Sequence, residues 1–135
     1  MVSLLQRAER GVQRTESENV MSQSEKTPVL HDAVHAELED WGPLAEATDH
    51  PMATHGRELW ADGPASGGIW QCAPGPSRWL LETHEVIYLV AGRMTVTPDD
   101  GDPKEIGVGD VAVFPRGWSG TWDIHETVRK VYAIF

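Results

Sequence analysis

The chain has 135 residues and a formal net charge of −10, which is enough polypeptide for one folded domain. A surface this acidic repels phosphate backbones and anionic lipids, so we expect neither a nucleic-acid nor a membrane partner. The single cysteine, Cys72, excludes an internal disulfide and a thiolate metal cluster. Because no apolar run approaches the ~20 residues that span a bilayer, we expect a cytoplasmic protein.

The first 26 residues differ in composition from the rest. Residues 1–26 carry four basic and four acidic side chains and no aromatic one, so they bury too little apolar surface to offset the entropy of ordering. We expect a disordered or weakly helical tail there, and a folded domain over residues 27–135. Met21 begins a polar stretch typical of a protein start, which leaves either Met1 or Met21 as the initiator.

From residue 27 onward, short apolar runs alternate with Gly, Pro and Asp, which is the spacing of many short strands. Asp100-Gly101 suits a tight turn with positive φ, and Gly92 suits a chain reversal between two strands. The wholly apolar run Val111–Phe114 predicts a strand covered on both faces. The predicted strands are His35–Asp40, Gly56–Trp60, Gly68–Ala73, Ser77–Leu81, Glu85–Val90, Arg93–Thr97, Lys104–Ile106, Val111–Phe114, Gly120–Ile124 and Thr127–Phe135.

Residues 68–135 carry a series of motifs in one uninterrupted order. The residues are Trp70, Cys72, Pro74 and Gly75, then Glu85, Gly92 and Arg93, then Gly109, Asp110, Phe114, Pro115, Gly117, Trp118, Gly120, Thr121 and Trp122, and finally Glu126, Lys130 and Tyr132. This series resembles the cupin superfamily (RmlC-like), and within it the group named after the ureidoglycine aminohydrolase cupin domain (DUF861, similar to Cupin_3). The resemblance implies an all-β, single-domain jelly-roll barrel, the cupin double-stranded β-helix, with its motif core at residues 68–135. It also implies a homodimer.

Metal-binding cupins place two histidines and a glutamate of one motif, and a histidine of a second motif, around one divalent ion. In this sequence the glutamate position is Glu85, whereas the three histidine positions are Trp79, Leu81 and Gly120. One carboxylate binds a transition metal weakly. We therefore expect no metal and no other cofactor, although a manganese ion stays open as the alternative.

Without metal ligands, Glu85 becomes an inward carboxylate that must be protonated, hydrated or paired. Lys130, Arg93 and Arg78 are the candidate cations, and the resemblance favours Lys130, which lies in the closing motif. Glu85 and Lys130 are therefore the candidate catalytic or polar couple, with a simple buried ion pair as the equal alternative. The candidate ligand-binding residues are Trp70, Cys72, Trp79, Leu81, Trp118 and Trp122. Large aromatic side chains also fill small barrels, and a free cysteine also packs as a small hydrophobe.

Two functions remain open. The first is a cupin of unassigned specificity that binds a small polar metabolite in the barrel without the usual metal-binding histidines. The second, which the resemblance implies, is a metal-dependent catabolic enzyme similar to ureidoglycine aminohydrolase, a hydrolase that releases ammonia. The sequence leaves open whether the protein is an enzyme.

Overall fold

A computed structural model describes residues 26–135. The predicted tail, residues 1–26, lies outside this range except for Lys26. Met21 therefore also lies outside it. The described chain forms eight strands: β1 (Glu39–Pro43), β2 (Ala53–Asp62), β3 (Ala65–Cys72), β4 (Gly75–Leu80), β5 (Glu85–Pro98), β6 (Lys104–Gly107), β7 (Val111–Phe114) and β8 (Ser119–Ile134).

The two longest strands, β5 and β8, hold the fold together. They pair antiparallel from one end to the other, with Glu85 opposite Ile134 and Pro98 opposite Gly120. We call the paired strands β5 and β8 the ribbon. In one half of the ribbon, β3, β2 and β1 follow in this order beside β8, and β7 pairs with β5. The other half is flanked by β4 on β8 and by β6 on β5. The chain thus forms two sheets that share their central strands, which is the all-β jelly roll that the resemblance implies.

A bend at the middle of the ribbon separates the two sheets. The register of the β5–β8 pairing shifts between Leu89 and Met94, and bulges of this kind turn a strand sharply. Gly92 adopts a φ of +79° there, and a Cβ at this position would lie 2.2 Å from the carbonyl oxygen of Thr127. The predicted chain reversal at Gly92 is therefore wrong. The strand continues through a bulge, because β8 offers a partner on both sides of it.

The merging of predicted strands has the same cause. The predicted pair 85–90 and 93–97 forms the single strand β5, and the predicted pair 120–124 and 127–135 forms β8. Residues such as Gly92 interrupt the apolar pattern of the sequence, but they do not end the hydrogen-bonded pairing of β5 with β8.

Two other local predictions are also corrected. The strand predicted over His35–Asp40 starts only at Glu39, since the backbone amides of His35 and Ala36 donate to the carbonyl of Asp32 in a turn. The turn at Asp100-Gly101 needs no positive φ at either residue. Gly101 is its last residue and donates its amide to the carbonyl of Pro98 at 3.2 Å, the position that glycine favours in a type I turn.

The inward faces of the two sheets meet in one core. From Val128 to the end of β8 every second side chain points inward, so Val128, Lys130, Tyr132 and Ile134 are all buried. Trp70 of one sheet meets Trp122 of the other edge to face, with 6.3 Å between ring centroids. The described part of the chain contains no helix that is long and apolar enough to cross a membrane.

Candidate functional site

Glu85 and Lys130 form an ion pair inside the barrel. Glu85 is the first residue of β5 and lies opposite Ile134, whereas Lys130 is four residues further back along β8, a separation of about 13 Å along the strand. Both side chains point inward and extend towards each other. The Lys130 ammonium donates to Glu85 Oε2 at 2.7 Å, and the exposed fractions are 1% for Lys130 and 0% for Glu85. The predicted pairing is thus present in the structure.

Two tryptophans hold the ammonium group from opposite sheets. Lys130 Nζ lies 4.5 Å from the ring centroid of Trp70, its cross-strand partner on β3, and 4.7 Å from that of Trp122. Aromatic faces attract a cation, most strongly where water is excluded. Glu85 Oε1, in contrast, is buried and has no hydrogen-bond partner among residues 26–135, and the same holds for the indole nitrogens of both tryptophans.

The donor set of the barrel interior does not fit a transition metal. The positions of the two motif histidines are Trp79 and Leu81, whose side chains are buried and offer no metal ligand. A side chain has no room at Gly120, because a Cβ there would lie 2.2 Å from the carbonyl oxygen of Thr97. No group of three or more His, Cys, Asp or Glu in residues 26–135 is arranged to hold a metal ion. Glu85 is the one motif ligand retained, and it already binds an ammonium group.

Cys72 lies on the same inward face but offers an unreactive thiol. Burial raises the pKa of Cys72 to about 12, although the nearby Lys130 charge acts in the opposite direction. The thiol contacts the carbonyl oxygen of Ala73 at 3.4 Å. Since the thiolate is the nucleophilic form, Cys72 packs as a small hydrophobe at neutral pH.

The structure gathers the predicted ligand-binding residues into one aromatic cluster. Trp79 packs on Trp122 with 4.6 Å between ring centroids. Of the six, five are buried in the core at 0–1% exposure: Trp70, Cys72, Trp79, Leu81 and Trp122. Trp118 is only partly buried, so a ligand can contact it without any rearrangement of the core. The binding role of these side chains stays a prediction.

A cavity opens beside Trp118, at the edge of β5 that carries both β6 and β7. β7 pairs with residues 85–88 of β5 and β6 pairs with residues 93–96, and we call the cavity that both strands line the β6–β7 cleft. Its volume is about 680 Å³. The residues that line it are Val96, Pro98, Lys104, Glu105, Ile106, Gly109, Asp110, Val111, Ala112, Val113, Phe114, Pro115 and Trp118.

Sequence reasoning missed this cleft. The apolar run on β7 predicts a strand covered on both faces, yet the exposed fractions are 65% for Val111 and 58% for Val113. That prediction is wrong because β7 lies at a sheet edge with nothing in the described chain over its outer side. Apolar side chains without a cover often mark a binding surface, but the exposure of these two valines is visible only in the structure.

A second, more polar cavity of about 460 Å³ adjoins the cleft and shares Pro98, Pro115 and Trp118 with it. We call it the polar lobe. One of its carboxylates, Asp99, accepts hydrogen bonds from Arg78 at 2.7 Å and from the Ser119 hydroxyl at 2.6 Å. These contacts lower the pKa of Asp99 to about 2, so its side chain is a fixed negative charge at neutral pH.

Comparison with known families agrees with this architecture. The model of the EutQ-like cupin domain, Cupin_3, matches residues 59–132, which is more than half of the chain. The chain belongs to the EutQ-like cupin family. No curated protein matches the sequence significantly.

Solved structures share the fold at low sequence identity. A protein of unknown function of the DUF861 family from Pseudomonas syringae superposes with a TM-score of 0.69 at 21% identity, over 76% of this chain and 46% of its own. This cupin therefore spans about half the length of the Pseudomonas protein. The EutQ protein of Clostridium difficile gives a TM-score of 0.56 at 16% identity, over 67% of this chain and 76% of its own. A Rhizobium leguminosarum protein of unknown function gives 0.54 at 15% identity, over 92% of this chain and 95% of its own.

Proposed function

We propose that this cupin binds a small organic molecule and does so without a metal ion. The observation that carries the metal-free part of the proposal is the Glu85–Lys130 pair, with 2.7 Å between ammonium nitrogen and carboxylate oxygen, inside the barrel. The ammonium group supplies the positive charge that a divalent ion would otherwise bring to Glu85. A metal would have to displace Lys130 from Glu85 and leave a second cation in an apolar core, which is strongly unfavourable.

The barrel supports binding because its aromatic core continues to the surface at Trp118. Phe114 contacts Trp122 in the core and Trp118 at the cleft, with ring centroids 5.0 Å and 5.1 Å apart. A ligand that contacts Trp118 therefore rests on side chains that are already ordered, and little conformational entropy is lost on binding. The buried ion pair behind these rings fixes the arrangement of the core.

The first experiment measures metal content and stability on one preparation of untagged protein made without chelator. We expect well under one metal ion per chain and no change in Tm with manganese, iron, nickel or zinc. Near-stoichiometric metal, or a metal-dependent release of ammonia from ureido compounds, would overturn the proposal in favour of a hydrolase.

The second experiment is a thermal-shift screen of small organic molecules. A ligand at about one hundred times its Kd stabilises the folded state by about 2.7 kcal/mol, which raises the Tm of a domain of this size by well over ~4 °C. Each hit is repeated with excess chelator, and we expect the shift to be unchanged. A shift that disappears with chelator would contradict binding without metal.

A further inference from the structure

We infer that the ligand site is the β6–β7 cleft together with the polar lobe, and that it takes an organic cation with an apolar body. This inference rests on the proposed function only in so far as the protein binds a small molecule. It adds the place of binding and the chemical class of the ligand.

The cleft has the size and walls of a small-molecule site. Its volume of about 680 Å³ lies within the ~300–1,000 Å³ typical of such sites. Val96, Ile106 and Phe114 line it, and their side chains belong to the buried core. The cleft is therefore present before a ligand arrives.

Trp118 is the natural contact for the body of the ligand. Its ring is held edge to face against Phe114 at 5.1 Å, and it lines both the cleft and the polar lobe. A fixed indole ring offers apolar surface, and its face attracts a positive charge. One molecule can therefore place its apolar part in the cleft and its charged end near the polar lobe.

The charges around the two cavities favour a cation over an anion. Arg78 neutralises Asp99 through the ion pair between them. Among the remaining charged groups that line the cavities, three carboxylates, Asp100, Glu105 and Asp110, outnumber two cations, Lys104 and Arg116. The net charge of −10 on the whole chain acts in the same direction. An anion of the same shape would meet repulsion at long range and again at the site.

The test uses three probes of similar shape and different charge: 2-phenylethylamine, 2-phenylethanol and 3-phenylpropionate. Binding to the full chain is followed by amide and indole chemical shifts in NMR titrations at low salt. We expect the amine to bind most tightly, with shifts concentrated at the Trp118 indole and the amides of 111–114. The neutral alcohol should bind about fivefold more weakly and the carboxylate more weakly still, and added salt should reduce the difference.

A pair of matched variants tests the charge argument. Asp100→Asn removes an exposed carboxylate of the polar lobe, and Asp62→Asn removes an exposed one at the end of β2, outside both cavities. We expect the first to weaken amine binding about threefold and the second to leave it unchanged. Both side chains are exposed, so neither change should affect folding.

Three results would overturn the inference: equal or tighter binding of the carboxylate, shifts confined to another part of the protein, or equal effects of the two variants. No binding by any probe at 20 mM, on the order of the weakest useful affinity, would also overturn it. The metal analysis distinguishes this failure from failure of the proposed function. A metal-loaded protein that still binds the amine beside Trp118 would refute only the metal-free part of that proposal.

Discussion

Replacing Lys130 with methionine would remove the ammonium group from the barrel. The methionine side chain is also unbranched and has a similar length. The pair is fully inside the protein, at 1% and 0% exposure, so solvent cannot screen the charge left on Glu85. Removal of one partner of a buried ion pair costs about 3–5 kcal/mol. The contacts of the ammonium with Trp70 and Trp122 are lost as well, which places Lys130→Met towards the upper end of that range.

Urea unfolding at pH 7, followed by tryptophan fluorescence, measures the change. With an m-value of about 2 kcal/mol/M, the midpoint should fall by about 2 M. Lys104→Met is the matched control, because Lys104 is an exposed lysine on β6. That control should change the free energy of unfolding by no more than ~0.5 kcal/mol.

A second substitution separates the electrostatic effect from packing. In the double variant Lys130→Met with Glu85→Leu, no charge is left in the core, and such apolar replacements of buried pairs are often neutral or stabilising. We expect at least about half of the lost stability to return. If Lys130→Met is as stable as the wild type, or if the double variant is no better than the single one, Lys130 does not compensate the Glu85 charge and the reasoning fails.

Three further predictions concern other parts of the fold. The Asp99 carboxyl should titrate near pH 2 by NMR, and Arg78→Met should raise that pKa towards 3.8. Because the pKa is lower in the folded than in the unfolded state, the Arg78–Asp99 pair stabilises the fold above about pH 4, and this stability is lost as the pH falls to 2. Cys72, with its pKa of about 12, should react with a thiol reagent at pH 8 at least ~100-fold more slowly in native protein than in urea, and equal rates would contradict its burial. Gly92→Ala should lower the free energy of unfolding by more than ~2 kcal/mol, since a Cβ would lie 2.2 Å from a carbonyl oxygen. Gly109 also has a positive φ, but nothing lies within 4 Å of a Cβ placed there. Gly109→Ala should therefore lower the free energy of unfolding less in the same urea assay.

The fold and the candidate ion pair could be predicted because the motif series that resembles the cupins covers residues 68–135. The motif order placed Glu85 on an inward face, and a buried carboxylate requires a partner, which left few cations to consider. The resemblance favoured Lys130 because it lies in the closing motif. The distance of 2.7 Å between the two groups comes from the structure alone.

The cleft could not be predicted because it depends on where β6 and β7 lie along β5. β7 pairs with residues 85–88 of β5 and β6 pairs with residues 93–96, and the residues of the two short strands do not show that a cavity forms beside them. The continuity of β5 through Gly92 has the same origin. Both features depend on pairing between strands that are distant in the chain, which no local pattern of residues shows.

The arrangement of the ribbon also limits how the chain can fold as it is made. β3, β4 and β5 all pair with β8, which comes after every one of them in the chain. During synthesis, the edges of these three strands that pair with β8 stay unpaired until residues 119–134 have left the ribosome. Their backbone groups and the tryptophans of β3 and β4 are meanwhile open to chaperones and to neighbouring chains. A chain whose synthesis ends before β8 can therefore complete neither sheet.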